Sequence, residues 1–173
     1  NPVPNVKKTQ RITASSYTRE YGSKSFALKA STNGDGKLSY TSSNPKVAKI
    51  SSKGKVSVKK YGTAVITIQA SETASYKAAK KQVKIKVVPK KAAITKAVSP
   101  TKKKIEIVWK KNKSVQGYEL QVSAKKNFKS HTVSRKYNKK KSRVVMVGLS
   151  SGKTYYVRIR SYVKVGKTKY YSG

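Results

Sequence analysis

The sequence contains no cysteine, a single histidine and only five acidic residues in 173. Without cysteine, disulfide bonds and thiol catalysis are excluded, so the core and the sheet hydrogen bonds must carry the stability. His131 alone cannot build a histidine-based zinc site, and no acid adjoins it to orient it as a catalytic base. We predict no metal site, no cofactor and no catalytic residue, and we interpret His131 as an ordinary exposed or half-exposed residue in a strand or at a sheet edge.

The acidic residues are too few and too scattered for paired-carboxylate chemistry. Hydrolysis by two carboxylates needs the pair at a defined separation, whereas three acids fall in the first half of the chain and Glu106 and Glu119 in the second. Both glutamates alternate out of phase with their apolar neighbours, so we expect them to face solvent and to form ion pairs with lysines on a basic sheet surface. The sequence therefore predicts a protein that is not an enzyme.

Long hydrophobic runs are also missing. The run VVMV at 144–147 is far shorter than the ~20 apolar residues that a helix needs to cross a bilayer. No signal peptide is present. We therefore predict no membrane insertion, and we expect any export signal to lie outside this chain.

Positive charge is what the sequence has in excess, since 42 lysines and arginines against five acids give a net charge of +37. Lysines are spread along nearly every segment instead of gathering in one arm, which argues against a dedicated nucleic-acid site. The runs TKKKIE (101–106) and NKKKS (138–142) are candidates for phosphate or heparin-like contacts, although solvated loops are the commoner explanation. We predict association with anionic cell-wall polymers or glycans and with no specific nucleic acid.

Apolar and polar residues alternate in segment after segment, and turn residues separate these segments at intervals typical of β-sandwiches. No segment shows a sustained helical stripe. The alternation is clearest in TAVITIQA (63–70), QVKIKVV (82–88), KIEIVWKK (104–111) and GYELQVS (117–123). We predict an all-β fold of two tandem Ig-like antiparallel β-sandwiches.

The alternating pattern stops and restarts around Pro89. A proline followed by two lysines is typical of a short, stiff linker. We expect a monomeric fragment of a larger protein, with a last strand that is incomplete because only YYSG follows the hairpin KVGKTK. The predicted segments are an N-terminal extension at 1–9, a first domain at 10–89, a linker at 90–92 and a second domain at 93–173.

The stretch STNGDGKLSY at 31–40 places Asn33, Asp35 and Gly36 as a calcium loop would. The first and twelfth positions of such a loop are serines here, so the bidentate acid is missing. Asn-Gly and Asp-Gly tolerate positive φ. We therefore predict a tight β connection that does not bind calcium.

The first half of the chain carries a longer motif, LSYTSSNPKVAKISSKGKVSVKKYGTAVITIQAS at 38–71. It resembles bacterial Ig-like domains of the group 2 kind and covers most of the first domain. In this interpretation Asn44 and Pro45 turn the chain. Gly54 supplies a hairpin, and Gly62 opens the strand that follows.

The second half resembles fibronectin type III domains in IEIVWKK, GYELQVS and LSSGKTYYVRIRSY. Leu149, Gly152 and Tyr155 match the spacing of a tyrosine corner, and we expect Trp109 and Tyr155 to be core residues. Both families imply structural roles, as tandem spacers, adhesin stalks or accessory modules of extracellular hydrolases, although a fold does not assign a ligand.

Four side chains alternate out of phase with the apolar residues of VRIRSY, so they share one face. This candidate ligand face could bind a glycan or pack on another domain, although stacking that merely stabilises the sheet is the commoner explanation. The four residues are Tyr156, Arg158, Arg160 and Tyr162.

These observations predict a non-catalytic structural, spacer or adhesion module of a protein secreted by, or displayed on the cell wall of, a Gram-positive bacterium. Its expected partners include host proteins and neighbouring protein domains besides the anionic polymers. Two alternatives stay open, namely a module that binds a specific carbohydrate or host protein, and an accessory region of an extracellular hydrolase.

Overall fold

The computed structural model describes residues 6–173. Strands joined by turns and loops account for this whole range, and because it holds no helix, none is present with the length and hydrophobicity to cross a membrane. The chain divides into two compact units between Val87 and Val88. The predicted all-β fold of two tandem sandwiches is confirmed. The predicted extension at 1–9 lies partly outside the described residues, while Lys8 and Thr9 form a strand.

The first unit contains eleven strands. They are β1 (Lys8–Thr9), β2 (Ile12–Ala14), β3 (Tyr17–Glu20), β4 (Phe26–Ala27), β5 (Ala30–Thr32), β6 (Leu38–Ser42), β7 (Ala48–Ile50), β8 (Lys55–Val58), β9 (Gly62–Ala70), β10 (Tyr76–Lys77) and β11 (Ala79–Val88).

A four-stranded sheet in the order β3-β11-β9-β6 faces a three-stranded sheet in the order β4-β8-β7, with the pairs β2-β5 and β1-β10 beside them. The alternation in β9 and β11 follows from the pleat of each strand, and their antiparallel register places Ile66 opposite Val83. Ile66, Ile68 and Ile85 are fully buried, and each such side chain contributes about 1.5 to 3 kcal/mol of hydrophobic stabilisation. The predicted inward faces of both strands are confirmed.

The expected turns of the first unit also form where the sequence placed them. The carbonyl of Asn44 accepts hydrogen bonds from two backbone amides as the chain reverses. Gly54 has φ +76° in the β7-β8 hairpin, and Gly62 has φ +138° at the start of β9. A side chain at Gly62 would press on Val47 in addition to being strained by this backbone conformation.

A short link at 33–37 joins β5 to β6 within the predicted connection at 31–40, but the expectation of positive φ at its glycines is wrong. β5 pairs with β2 and β6 pairs with β9, so the segment crosses from one sheet to another. Neither Gly34 nor Gly36 has positive φ. Instead, a Cβ at Gly34 would lie 2.5 Å from Gln10 Oε1, and a Cβ at Gly36 would lie 2.3 Å from the Ser71 carbonyl oxygen and 2.6 Å from Gln10 Nε2. These glycines are therefore required by the close approach of the buried Gln10 side chain and, at Gly36, of the Ser71 backbone.

The second unit contains seven strands. They are β12 (Ile94–Val98), β13 (Ile105–Trp109), β14 (Gly117–Ser123), β15 (Thr132–Asn138), β16 (Arg143–Met146), β17 (Tyr156–Val165) and β18 (Thr168–Tyr171).

These strands form a three-stranded sheet in the order β12-β13-β16 and a four-stranded sheet in the order β15-β14-β17-β18. Trp109, predicted as core, is 2% exposed. Its ring packs edge-on against Tyr118 at 5.6 Å between centroids and against Tyr137 at 5.7 Å. Such aromatic clusters join the two inner faces of a sandwich, each pair adding about 0.5 to 1.5 kcal/mol beyond its buried area.

The last strand, β18, pairs with β17 through four registered residue pairs. The pairing continues one residue further, because the Ser172 amide donates to the Ser161 carbonyl and the Ser161 amide donates to Ser172 Oγ at 3.1 Å. This ladder fixes which side chains of β18 share a face with those of β17.

Candidate ligand face of the second unit

The four residues predicted to share a face do share the outer face of the four-stranded sheet, here called the aromatic–arginine face. The β14-β17 register places each of them opposite a residue of β14 on the same side of the sheet. The pairs are Tyr156 with Ser123, Arg158 with Gln121, Arg160 with Glu119 and Tyr162 with Gly117.

Arg158 is held in place by two neighbours. Its Nε donates to Gln121 Oε1 at 2.6 Å, and its guanidinium carbon lies 4.2 Å from the centre of the Phe128 ring. Phe128 belongs to the loop between β14 and β15 and has φ +54°, a left-handed conformation that is uncommon for a large side chain. The sequence pattern did not identify Phe128 as part of this face, because alternation assigns faces only to residues within strands and Phe128 lies in a loop.

Arg160 contacts a residue of β14 on one side and a residue of β18 on the other. Its Nε and terminal nitrogen lie 2.9 and 2.8 Å from Glu119 Oε2, and its guanidinium carbon lies 3.8 Å from the centre of the Tyr171 ring. Burial alone would raise the pKa of the Glu119 carboxyl, but hydrogen bonds from Arg160 and Ser134 outweigh it and hold the pKa below its ordinary value.

The prediction that Glu106 and Glu119 face solvent is wrong, since they are only 7% and 8% exposed. Both do lie on outer sheet faces, where long basic side chains from adjacent strands cover them. Hydrogen bonds from Lys96 and then Arg143 lower the pKa of the Glu106 carboxyl. The predicted ion pairs are confirmed, with Lys96 Nζ 2.7 Å from Glu106 Oε2 and Arg143 bound to the other carboxylate oxygen.

Tyr162 packs flat on the sheet because Gly117 leaves room for it. A Cβ at Gly117 would lie 2.8 Å from the Tyr162 hydroxyl oxygen. The Tyr162 ring also lies 5.9 Å from that of Tyr171 and 5.3 Å from Lys169 Nζ. Tyr162 is thus half-buried and serves the packing of three strands.

Tyr156 lies at the start of β17 and is 37% exposed. Arg158 and Arg160 are exposed as well, but their guanidinium groups are bound to β14 and lie against rings, whereas the Tyr156 ring is accessible to solvent. A ring with one open face is what stacking on a sugar requires. Ligand binding by the full aromatic–arginine face stays a prediction.

Chemistry other than binding has little support in this region. His131 is exposed, has φ +52° and precedes β15; its Nδ1 lies 3.2 Å from Ser130 Oγ. Residues 6–173 contain no group of three histidine, aspartate or glutamate side chains arranged to hold a metal ion.

In the first unit, the Asp35 carboxylate accepts a hydrogen bond from Thr73 Oγ1 at 2.7 Å, which ties the loop between β5 and β6 to the segment before β10.

The predicted tyrosine corner is present just before β17. The Ser150 amide donates to the Tyr155 hydroxyl oxygen at 3.0 Å, which lowers the pKa of that phenol. A tyrosine that bonds the backbone a few residues upstream, at the entry to this strand, characterises sandwiches of this type. Tyr155 is half-buried, so its placement in the core was wrong although its corner role is confirmed.

A family model for the intimin immunoglobulin-like domain matches residues 23–72. This range covers β4 to β9 and the whole of the motif at 38–71 that resembles bacterial Ig-like domains. The match supports the resemblance of the first unit to bacterial Ig-like domains, followed by a second unit with a fibronectin type III-like fold. The strand order and the tyrosine corner of the second unit support the second assignment.

Solved structures of tandem β-domains are similar to the chain at low identity. A two-domain fibronectin type III segment of chicken tenascin is 19% identical, with a TM-score of 0.43 over 79% of this chain and 78% of that one. Titin domains A168–A170 are 12% identical, with a TM-score of 0.38 over 95% and 63%. The chicken CNTN1 FN1–FN3 domains are 9% identical, with a TM-score of 0.42 over 96% and 64%. No curated protein sequence matches the chain significantly.

Proposed function

We propose that this chain is a non-catalytic spacer or adhesion module of a secreted or cell-surface bacterial protein, and that its basic surface attaches it to anionic wall polymers. The match to the intimin Ig-like domain supports an extracellular bacterial setting. Ig-like and fibronectin-like domains are typically structural modules. A Gram-positive cell wall is part of the proposal because its polymers carry the negative charge that this chain lacks.

The proposed attachment to anionic polymers rests on the large excess of positive charge, most of which is not neutralised within the molecule. Of the five acids in the sequence, Glu72, Glu106 and Glu119 form salt bridges with lysines or arginines. The remaining cations far outnumber the acids and project from both units. A surface of this kind attracts polyanions through the release of their counterions.

Column retention tests the attachment directly. The protein is applied in about 0.05 M salt to immobilised teichoic acid, to heparin and to neutral dextran, and is eluted with a salt gradient. We expect retention on both polyanions, elution by about 0.5 M salt because exposed charges are then screened, and no retention on dextran. Passage through both polyanion columns without delay would contradict the attachment.

A further inference from the structure

The second unit has a cleft beside its tyrosine corner that the aromatic–arginine face does not include. A cavity of about 470 Å³ lies between the turn that joins β12 to β13 and the loop that leads into β17. The Leu149 amide donates to the Lys103 carbonyl at 3.2 Å, so these two segments are directly joined. Ligand pockets commonly have volumes of about 300 to 1,000 Å³.

Lysines dominate this cavity. Three come from the run TKKKIE, namely Lys102, Lys103 and Lys104, and Lys153 comes from the opposite loop. Hydroxyl groups of Ser99, Thr101, Ser150 and Ser151 lie among them. None of the described residues that line the cavity is acidic, so these ammonium groups have no carboxylate in their own cleft.

A second cavity, of about 820 Å³, continues the first. The two share Leu149, Ser150, Lys153 and Tyr155, so they adjoin across the tyrosine-corner loop. The second cavity adds Lys125, His131 and the exposed Tyr156. These two adjoining basic cavities, with the Tyr156 ring in the second, are here called the corner groove.

We propose that the corner groove is a binding site for a glycan polymer linked by phosphodiesters. The inference rests on the proposed attachment to anionic polymers and assigns it to defined residues. Cations and hydroxyls along the groove suit charged, hydroxyl-rich repeats, and Tyr156 suits stacking on a sugar ring. Two adjoining cavities of about 470 and 820 Å³ offer room for more than one repeat of a polymer.

The cations of the groove suit phosphate as the charged group. An ammonium group acts as a point charge and binds phosphate well, without the two-point geometry that a guanidinium uses for carboxylate and phosphate alike. In the second unit, Arg143 and Arg160 are bound to carboxylates outside the groove, and the groove itself is lined by lysines. Nucleic acid is disfavoured because single strands stack successive bases on several exposed rings, and this groove offers one.

Calorimetric titration of the full chain with poly(glycerol phosphate) of defined length, in about 0.15 M salt, tests the site. The groove variant carries Lys102→Gln, Lys103→Gln, Lys104→Gln and Lys153→Gln. The control variant carries Lys110→Gln, Lys111→Gln, Lys113→Gln and Lys167→Gln, which removes the same charge from exposed positions between strands of the same unit, outside the groove. Circular dichroism establishes that both variants fold.

We expect the groove variant to bind at least about tenfold more weakly and the control to stay within about twofold of the parent. The slope of log K against log salt should fall by about one for each lysine that contacts a phosphate, in the groove variant alone. Tyr156→Ala should weaken binding severalfold without changing that slope.

The outcomes separate this site from the general attachment. Equal losses in the two variants would overturn the site while leaving attachment through diffuse charge intact. No binding of poly(glycerol phosphate) by the parent chain would overturn both. Equal affinity for hyaluronan, a carboxylate polymer, or tighter binding of oligothymidylate would overturn the assignment to a phosphodiester-linked glycan.

Discussion

At the scale of single residues, the side chain of Gln10 forms hydrogen bonds with three distant segments of the first unit. It lies between β1 and β2 and is only 2% exposed. Its Nε2 donates to the carbonyls of Ser71 and Lys77, each at 2.8 Å. Its Oε1 accepts from Thr32 Oγ1 at 3.1 Å and from the Gly36 amide at 3.3 Å. One side chain thus satisfies polar groups on three separate segments.

Replacing Gln10 by alanine should destabilise the first unit by about 2 to 4 kcal/mol, because it leaves two carbonyls and a buried amide without their partner. Urea unfolding followed by circular dichroism measures the loss. Gln82→Ala is the matched control, since the exposed Gln82 amide makes only a 3.3 Å bond to Thr67, and it should change stability by less than about 0.5 kcal/mol. Equal losses in the two variants would contradict the proposed importance of Gln10.

The glycines show where sequence patterns suffice. Gly54 and Gly62 were assigned correctly because positive φ at a hairpin or a strand start depends on local backbone geometry. Gly34 and Gly36 have the same local signature, yet they are needed to make room for Gln10, whose bond to Gly36 spans 26 residues. A requirement imposed by a distant side chain leaves no periodic mark in the sequence.

At the scale of strands, alternation predicted the buried faces because it follows directly from the pleat. It failed for Glu106 and Glu119, which lie on outer faces as expected but are covered by side chains of neighbouring strands. That cover depends on the register that brings Arg160 opposite Glu119 and on the Lys96 and Arg143 bonds to Glu106. Register is set by the whole sheet, so a single strand cannot reveal it.

The ion pairs of Glu106 and Glu119 should make the free energy of unfolding of the second unit depend on pH in the acid range. The pKa of each carboxyl is lowered from an ordinary value of 4.5, so the ionised form favours the folded state. The contribution is complete above pH 4.5 and is lost as the pH falls through the lower pKa of the folded state. Trp109 is the only tryptophan, so its fluorescence during thermal unfolding should report a midpoint that falls with acidification.

The double variant Glu106→Gln and Glu119→Gln should show a flatter pH profile than the parent in this range. Glu20→Gln, which changes an acid of the first unit, serves as the control and should retain the parent profile of Trp109 fluorescence. A double variant with the parent's full acid sensitivity would contradict the assignment of that sensitivity to these two carboxyls.

The pairing of β14 with β17 also explains which features of the aromatic–arginine face could be predicted from the sequence. Sequence alternation placed Tyr156, Arg158, Arg160 and Tyr162 on one face. It did not reveal that the arginines stack on Phe128 and Tyr171 or that Tyr162 lies over Gly117, because these contacts join a loop and two other strands. For the groove beside the tyrosine corner, the sequence pointed only to the run TKKKIE, because nothing in the alternation shows that Lys125 and Lys153 line adjoining cavities with it.

At the scale of the whole molecule, repulsion among like charges should dominate the response to salt. The net charge is +37, and ion pairs such as those of Glu72, Glu106 and Glu119 engage few of the 42 lysines and arginines. Raising the salt from 0.01 to 0.1 M shortens the screening length from about 30 to about 10 Å. This weakens the repulsion across each unit more than it weakens the short, partly buried pairs.

We therefore expect the thermal midpoint to rise as sodium chloride increases over this range. Scanning calorimetry measures the midpoint, and a sucrose series of equal osmolality controls for the general effect of added solute. A midpoint that falls with salt would show that the ion pairs contribute more to stability than mutual repulsion removes.

The long reach of Gln10 also bears on how the first unit assembles. Two of its bonds span 61 and 67 residues, so they cannot form until nearly all of this unit's chain is available. Contacts between such distant positions raise the contact order, and proteins dominated by them typically fold in milliseconds to seconds. During synthesis, the segment around residue 10 must therefore wait for β10 before its native environment exists.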